Sequence, residues 1–320
     1  DNDDLWYCNR LINDAILNLD KGKKGPVHIN TPINEPLFSF NVENLPQVRV
    51  IRRPAVNINI SEKERYKERF LHFSKRMIIV GQLPPNNNLS DILSELSSVY
   101  NVVVLSDHLS NISKRENKCY DIVIRSANNK ELSELSPELL ITIGGHTVSK
   151  KIKQFIRDAG VKEHWHISPS GEVIDTFQNV TEIVTSDYRT FLSYISESID
   201  DKRNRTKQST GVLNESIEFK KTWRDKCASI SESKVEYSDL YATGLLLNAL
   251  PKNISLQLAN SHSVYLAQLF DIPVETKCFS NRGTNGIEGS LSTAVGYSAA
   301  SEKLTLFLTG DLSFFYDMNA

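Results

Sequence analysis

Two loops near the end of this 320-residue chain carry residue types that could do chemistry. Residues 281–289 read Asn-Arg-Gly-Thr-Asn-Gly-Ile-Glu-Gly, with three glycines spaced three apart. Glycines at that spacing let a backbone approach a ligand closely and expose amide donors at the start of a helix. Arg282 adds a planar, permanent cation suited to a carboxylate or a phosphate. A tight turn with small residues for helix packing is the competing reading. No Gly-Lys-Ser/Thr follows, so a P-loop is excluded, and GxxGxxG is not the GxGxxG spacing of a Rossmann fingerprint. The second loop, residues 310–320, reads Gly-Asp-Leu-Ser-Phe-Phe-Tyr-Asp-Met-Asn-Ala and follows an apolar run. A carboxylate in the position of Asp311 can hold a divalent cation that bridges to a diphosphate. Taken singly, it is better read as the cap of the helix that comes next.

Other constellations are weaker. His164-Trp-His166 puts two imidazoles on one face of a strand, as a metal pair would, but with no third ligand near in sequence structural histidines are favoured. Ser261-His262 lacks a Gly-x-Ser-x-Gly elbow, which argues against a hydrolase triad. The four cysteines are far apart without CxxC spacing, the pattern of reduced, buried thiols in a cytoplasmic protein. A net charge of -2 gives no field to recruit nucleic acid or an anionic membrane. The basic run at 202–207 has no aromatics and reads as a solvated linker. No apolar stretch is long enough for membrane insertion.

Both loops need scaffolds. With 40% hydrophobic and 24% charged residues, the chain can build about two cored domains. Residues 1–40 show one amphipathic helix (Leu5, Leu11, Ile12, Ala15, Ile16, Leu19, capped by Asp3 or Asp4) and one short strand at 26–30. One helix and one strand cannot make a core, so this segment is expected to be the tail of a domain. Residues 41–60 read as an extended linker. From there to residue 200 helices alternate with the strands 77–81, 101–105, 139–143, 164–167 and 182–184, which predicts an α/β fold with a parallel, doubly wound sheet. Residues 201–320 start a second α/β pattern: helices at 215–229, 238–250, 263–270 and 291–300, strands at 254–258, 274–278 and 304–308, and no closing helix. In such sheets the ligand sits at the carboxyl ends of the strands, where both loops fall.

Taken together, the loops resemble a family. Gly310-Asp-Leu-Ser-x-x-Tyr-Asp-x-Asn-Ala320 is similar to the cofactor motif of the thiamine-diphosphate-dependent 2-succinyl-5-enolpyruvyl-6-hydroxy-3-cyclohexene-1-carboxylate synthases of menaquinone biosynthesis. Most thiamine enzymes have Gly-Asp-Gly there, so Leu312 and the pair Tyr316-Asp317 mark this family. The loop at 281–289 resembles the family's upstream loop, and residues 24–37 resemble the end of its pyrimidine-binding domain. The resemblance implies a central doubly wound domain (41–200) flanked by partial thiamine-diphosphate-binding-type domains (1–40 and 201–320). It implies that Asp311 binds magnesium or manganese, that Gly310, Leu312 and Ser313 line the diphosphate, and that Ile287 props the bent cofactor. Arg282 would hold an anionic group, Asn260 and Ser261 would face the reacting centre, and Lys150 would reach a substrate carboxylate; a solvated helix-start lysine is the alternative for Lys150. The family usually has arginine where Tyr265 stands, and tyrosine carries no positive charge.

The implied reaction decarboxylates 2-oxoglutarate on thiamine diphosphate and adds the remaining unit to isochorismate, in a cytoplasmic homodimer or homotetramer. The resemblance places the cofactor-activating glutamate before Asp1 and a further metal ligand after Ala320, so no catalytic residue is expected here and the chain alone is expected to be inactive. Two other readings stand beside it: another thiamine carboligase of acetolactate-synthase type, and a non-catalytic α/β binding module.

Overall fold

Runs of branched apolar residues, buried on both faces, pair into the central sheet. In the structure, a computed structural model describing residues 2–19, 27–32, 44, 48–53, 60–85, 88–113, 115–117, 119–197, 210–230 and 236–320, these runs are β1 (Arg76–Val80), β2 (Val103–Ser106), β3 (Leu139–Ile143), β4 (Glu163–Ile167) and β5 (Glu182–Val184). They are all parallel, in the order β2-β1-β3-β4-β5. Alternation splits each strand between two cores. Ile78 and Val80 face Tyr66 and Phe70 of α2 (Ile60–His72), Leu96 of α3 (Ser90–Tyr100) and Phe191 of α7 (Tyr188–Glu197). Met77 and Ile79 face the other way, toward α4 (Tyr120–Ser126), α5 (Asn129–Leu135), α6 (Lys150–Asp158) and α8 (Thr210–Ser229). Helices on both faces make this the doubly wound α/β fold expected from the alternating pattern.

α8 lies on this central sheet. Phe219 and Trp223 are buried in its second core, and Trp223 Nε1 donates to Leu135 O at 3.1 Å. The helix expected at 215–229, which the sequence grouped with the third region, therefore packs with the middle one.

The second sheet is β6 (Ser255–Leu258), β7 (Lys277–Phe279) and β8 (Thr305–Leu308), parallel in the order β7-β6-β8. With it come α9 (Asp239–Asn248), α10 (His262–Ala267), α11 (Ser290–Ala299) and α12 (Asp311–Tyr316). Its core takes in Leu109 and Val148 from the first sheet's loops beside Leu247, Leu256, Leu258 and Val264. The two sheets thus share buried contacts at their loop ends.

Several expectations change. The amino-terminal helix α1 spans Asn2–Asn18, with Asp3 and Asp4 inside its first turn rather than before it. Residues 27–30 form no strand. Arg52 pairs with Glu182 in an isolated parallel bridge, so part of the linker is attached to the sheet edge. The strand at 274–278 starts later, at Lys277, because Val274 is exposed and gains nothing from pairing. α12 is the helix that the capping reading of Asp311 anticipated, although Gly310 and not Asp311 stands at its cap. All four cysteines are free, but only Cys278 is buried as expected; Cys119 and Cys227 are half-buried and Cys8 is exposed. The basic run at 202–207 lies outside the described residues. Among those described, no helix is long and apolar enough to cross a membrane.

Candidate functional site

The carboxyl ends of β6, β7 and β8 converge, since β6 lies between the other two and Ala259 N donates to Leu308 O at 2.9 Å. Just past β6 is Asn260, buried, whose amide organises the glycine-bearing loop. Its Nδ2 donates to Asn281 O at 2.8 Å and Gly286 O at 2.6 Å, and its Oδ1 accepts from Arg282 Nη1 at 2.6 Å. Asn260 is thus used up inside the protein, holding the loop, while Ser261 beside it is exposed. Ser261 has φ 72 and ψ -135, a conformation that costs a non-glycine residue about 1–3 kcal/mol and is retained where surroundings over-determine it.

The loop from 281 to 289 leads into α11. Gly289 has φ +76, which only glycine adopts without strain, and Asn281 Nδ2 donates to Gly289 O at 3.2 Å and to Thr293 Oγ1 at 2.9 Å. From the other side, Ser313 Oγ on α12 donates to Ile287 O, so the two motif-bearing segments are in contact. At the far end of α12, Asp317 accepts from Ser292 N at 2.6 Å and Ser292 Oγ at 2.5 Å. Those bonds, the hydroxyl's first, hold its carboxyl below the usual range. Asp317 therefore caps α11 and locks it to α12.

Asp311 is the first residue of α12, and Gly310 is its cap, so the carboxylate is not spent on capping. It is exposed, with Oδ1 accepting from Leu312 N at 2.8 Å. Leu312 is exposed as well. Among the described residues no group of three or more His, Cys, Asp or Glu could hold a metal, so Asp311 stands as a single candidate ligand. The glycine-bearing loop and its flanks have chemistry that fits an anionic group. Among the described residues, buried Ser280 Oγ, Arg282 Nε and Ser290 Oγ have no hydrogen-bond partner, and a Cβ on Gly310, Gly283 or Gly289 would meet no described atom within 4 Å. Unpaired buried donors beside open glycines suit a diphosphate or a carboxylate.

The first sheet presents its own switch point to this site, between β1 and β3. After β1, Gly81 passes so close to the next loop that a Cβ would lie 2.2 Å from Gly145 O. Gln82 N donates to His146 O at 2.9 Å, and Gln82 Nε2 donates to Ser280 O at 3.1 Å, two residues before Arg282. Asp107, fully buried, accepts from Val148 N at 2.9 Å. Burial pushes its pKa up to about 6 despite that bond and the positive charges of Arg115 and Arg282. His146 is lowered by burial and then by Lys153 and Arg282; Lys153 is lowered by burial and then by Arg282 and Arg157. Lys150 starts α6, exposed, behind the cap Ser149. Gln82, Asp107, His146 and Lys153 have no motif, and only the packing of the two sheets brings them here. Tyr265 is half-buried against the second core.

The two strand histidines lie elsewhere, inside the first sheet. Asn179 donates through Nδ2 to Ile156 O at 3.1 Å, which turns its Oδ1 to His164 Nδ1 at 2.7 Å. His164 therefore carries its proton on Nδ1 and accepts from Thr142 Oγ1 at 2.8 Å through Nε2. Thr142 in turn accepts from His166 Nδ1 at 2.9 Å. Both rings are built in as neutral structural groups, and burial, ahead of every other cause, lowers His166 to about 4.

Residues 50–234 match the family model described as "Middle domain of thiamine pyrophosphate". The chain is 42% identical to the 2-succinyl-5-enolpyruvyl-6-hydroxy-3-cyclohexene-1-carboxylate synthase of Bacteroides thetaiotaomicron, over 99% of this chain and 55% of that protein. Enzymes of the same name from Flavobacterium psychrophilum and Porphyromonas gingivalis are 34% and 33% identical, over 97% and 98% of this chain. The chain spans about 55% of the length of each of these relatives.

Proposed function

Since this chain belongs to the thiamine-pyrophosphate-enzyme family through its middle domain, we propose that it forms the central and diphosphate-side parts of a 2-succinyl-5-enolpyruvyl-6-hydroxy-3-cyclohexene-1-carboxylate synthase. The observation that carries the reading is the contact between Ser313 and Ile287, which joins the aspartate-bearing motif to the glycine-bearing loop. Relatives sharing the name across nearly the whole chain support it.

Thiamine diphosphate, where bound, supplies the electron sink needed to decarboxylate a 2-oxoacid and pass on what remains. The chain's part is to hold and orient. Gly310, Leu312 and Ser313 line the diphosphate, with Asp311 offering a carboxylate to Mg2+ or Mn2+. Ile287 supports the cofactor's body from the loop that Asn260 and Ser313 brace. Arg282, rigidly aimed by Asn260, meets a carboxylate of substrate. Ser261 and Lys150, both exposed, are assigned the remaining polar contacts. Positioning two anionic substrates this way replaces random encounter with a fixed geometry. The substrates we assign are 2-oxoglutarate and isochorismate, in a cytoplasmic homodimer or homotetramer. We place the boundary between the middle and diphosphate-side domains after α8, near residue 235, because Trp223 packs on the first sheet.

The test is product formation by the full-length gene product with thiamine diphosphate and Mg2+. Carbon dioxide release from 2-oxoglutarate with a coupled product from isochorismate is the expected result. Absence of both overturns the assignment.

A further inference from the structure

Several cations gather where the two sheets meet. α6 buries Ile152, Phe155 and Ile156, which turns Lys150, Lys153 and Arg157 onto the opposite stripe at helical spacing. Lys153 is the half-buried member of that stripe, and among the described residues it has no hydrogen-bond or ion-pair partner. Across the junction stands Arg282, 8% exposed, with Nε unpaired. Gln82 holds the two sides together through His146 O and Ser280 O. After burial, Arg282 is the largest cause that pushes Lys153 toward its neutral form, and Lys153 and Arg282 act the same way on His146. Asp107, whose charge reaches both, is sealed from solvent, and its Oδ2 accepts from Val148 N. A half-buried ammonium beside a buried guanidinium is unfavourable until an anion enters between them.

We propose that Lys153 is a specificity-determining residue that, with Arg282, holds one carboxylate of a dicarboxylate substrate across the junction of the two sheets. The inference rests on the function proposed above for its substrate class, but it concerns binding and can be read without turnover. Arg282 comes from the loop after β7 and Lys153 from the helix after β3. The site is therefore complete only when the two sheets are docked, which couples substrate charge to their arrangement.

The experiment uses the full-length gene product and two unreactive probes, glutarate as dicarboxylate and butanoate as monocarboxylate, followed by calorimetry at low and high salt. Wild type should prefer glutarate. Lys153→Met should weaken glutarate about tenfold or more, the loss of one charge-assisted contact, and leave butanoate within about twofold. Lys153→Arg should restore most of the preference, and in turnover KM for 2-oxoglutarate should rise more than kcat falls. If Lys153→Met melts early, Lys153→Gln is measured in its place. Equal glutarate affinity in wild type and a stable Lys153 variant overturns the proposal, as does a wild type that does not distinguish the probes. A gene product that makes no product yet shows Lys153-dependent glutarate binding sinks the assigned reaction and supports this inference.

Discussion

Asn260 Oδ1 accepts from Arg282 Nη1 at 2.6 Å while the same amide's nitrogen holds two carbonyls of the loop that carries that arginine. One side chain at the end of β6 therefore both shapes the loop and aims its cation. Both partners are buried, at 4% and 8% exposed, so neither can find water as a substitute. Asn260→Ala should cost about 1.5–3 kcal/mol, the range for a lost bond to a charged group. Asn260→Asp should keep the bond to Arg282 but repel the carbonyls of residues 281 and 286. Thermal melts of both variants check this, and equal stability of Asn260→Ala and wild type would contradict it.

Gly81→Ala brings a methyl to within 2.2 Å of Gly145 O, and backbone cannot move aside as a flexible side chain would. We expect a loss of about 1–3 kcal/mol from overpacking, together with displacement of the loop bearing His146. Denaturant unfolding measures the first. Hydrogen exchange at Gly145, whose N–H donates to Gln82 O at 2.8 Å, reports the second.

Trp223→Ala should destabilise the middle domain by about 3–5 kcal/mol, the cost of emptying a large aromatic site. It also leaves Leu135 O without its donor. An unfolding transition of the first sheet that does not shift in this variant would show that α8 is not part of that domain.

Acid should weaken the protein through its sheet histidines. Unfolded histidine titrates near 6.5, and burial lowers His166 to about 4 in the fold, so the native state binds the neutral ring. The stability it contributes is complete above pH 6.5 and is lost as pH falls through about 4, on the order of 3 kcal/mol for so buried a ring. His166→Gln should flatten this slope between pH 6.5 and 4. Melting temperatures across that range decide it, and an unchanged slope would count against the assignment.

How much of this could be read from residues alone depends on how local the cause is. β3 and β5 begin and end where expected, because a short apolar run between polar residues has few alternatives. α4 and α5 were missed, being seven residues each, too short for a helical period to repeat. The signal for α5 was present nonetheless: Asn128 and Glu131 form a capping box. At the site, Arg282 and Asp311 stand out because glycines and strand ends flank them, whereas Asn260 enters only through the family resemblance. Nothing nearby marks Asp107, Gln82, His146 or Lys153, whose importance comes from residues more than a hundred positions away. The resemblance has Asn260 facing the reacting centre, whereas its amide is turned inward to the loop.

The central claim is that the loops after β7 and β8 form the diphosphate side of a thiamine-diphosphate site. It is tested most directly by calorimetric titration of the full-length gene product with thiamine diphosphate, with and without Mg2+, in wild type and in Asp311→Ala. We predict saturable binding that requires the metal and is weakened about a hundredfold or more by the substitution, as expected on losing a metal ligand. Binding that ignores both the metal and Asp311, or no binding at all, would contradict it.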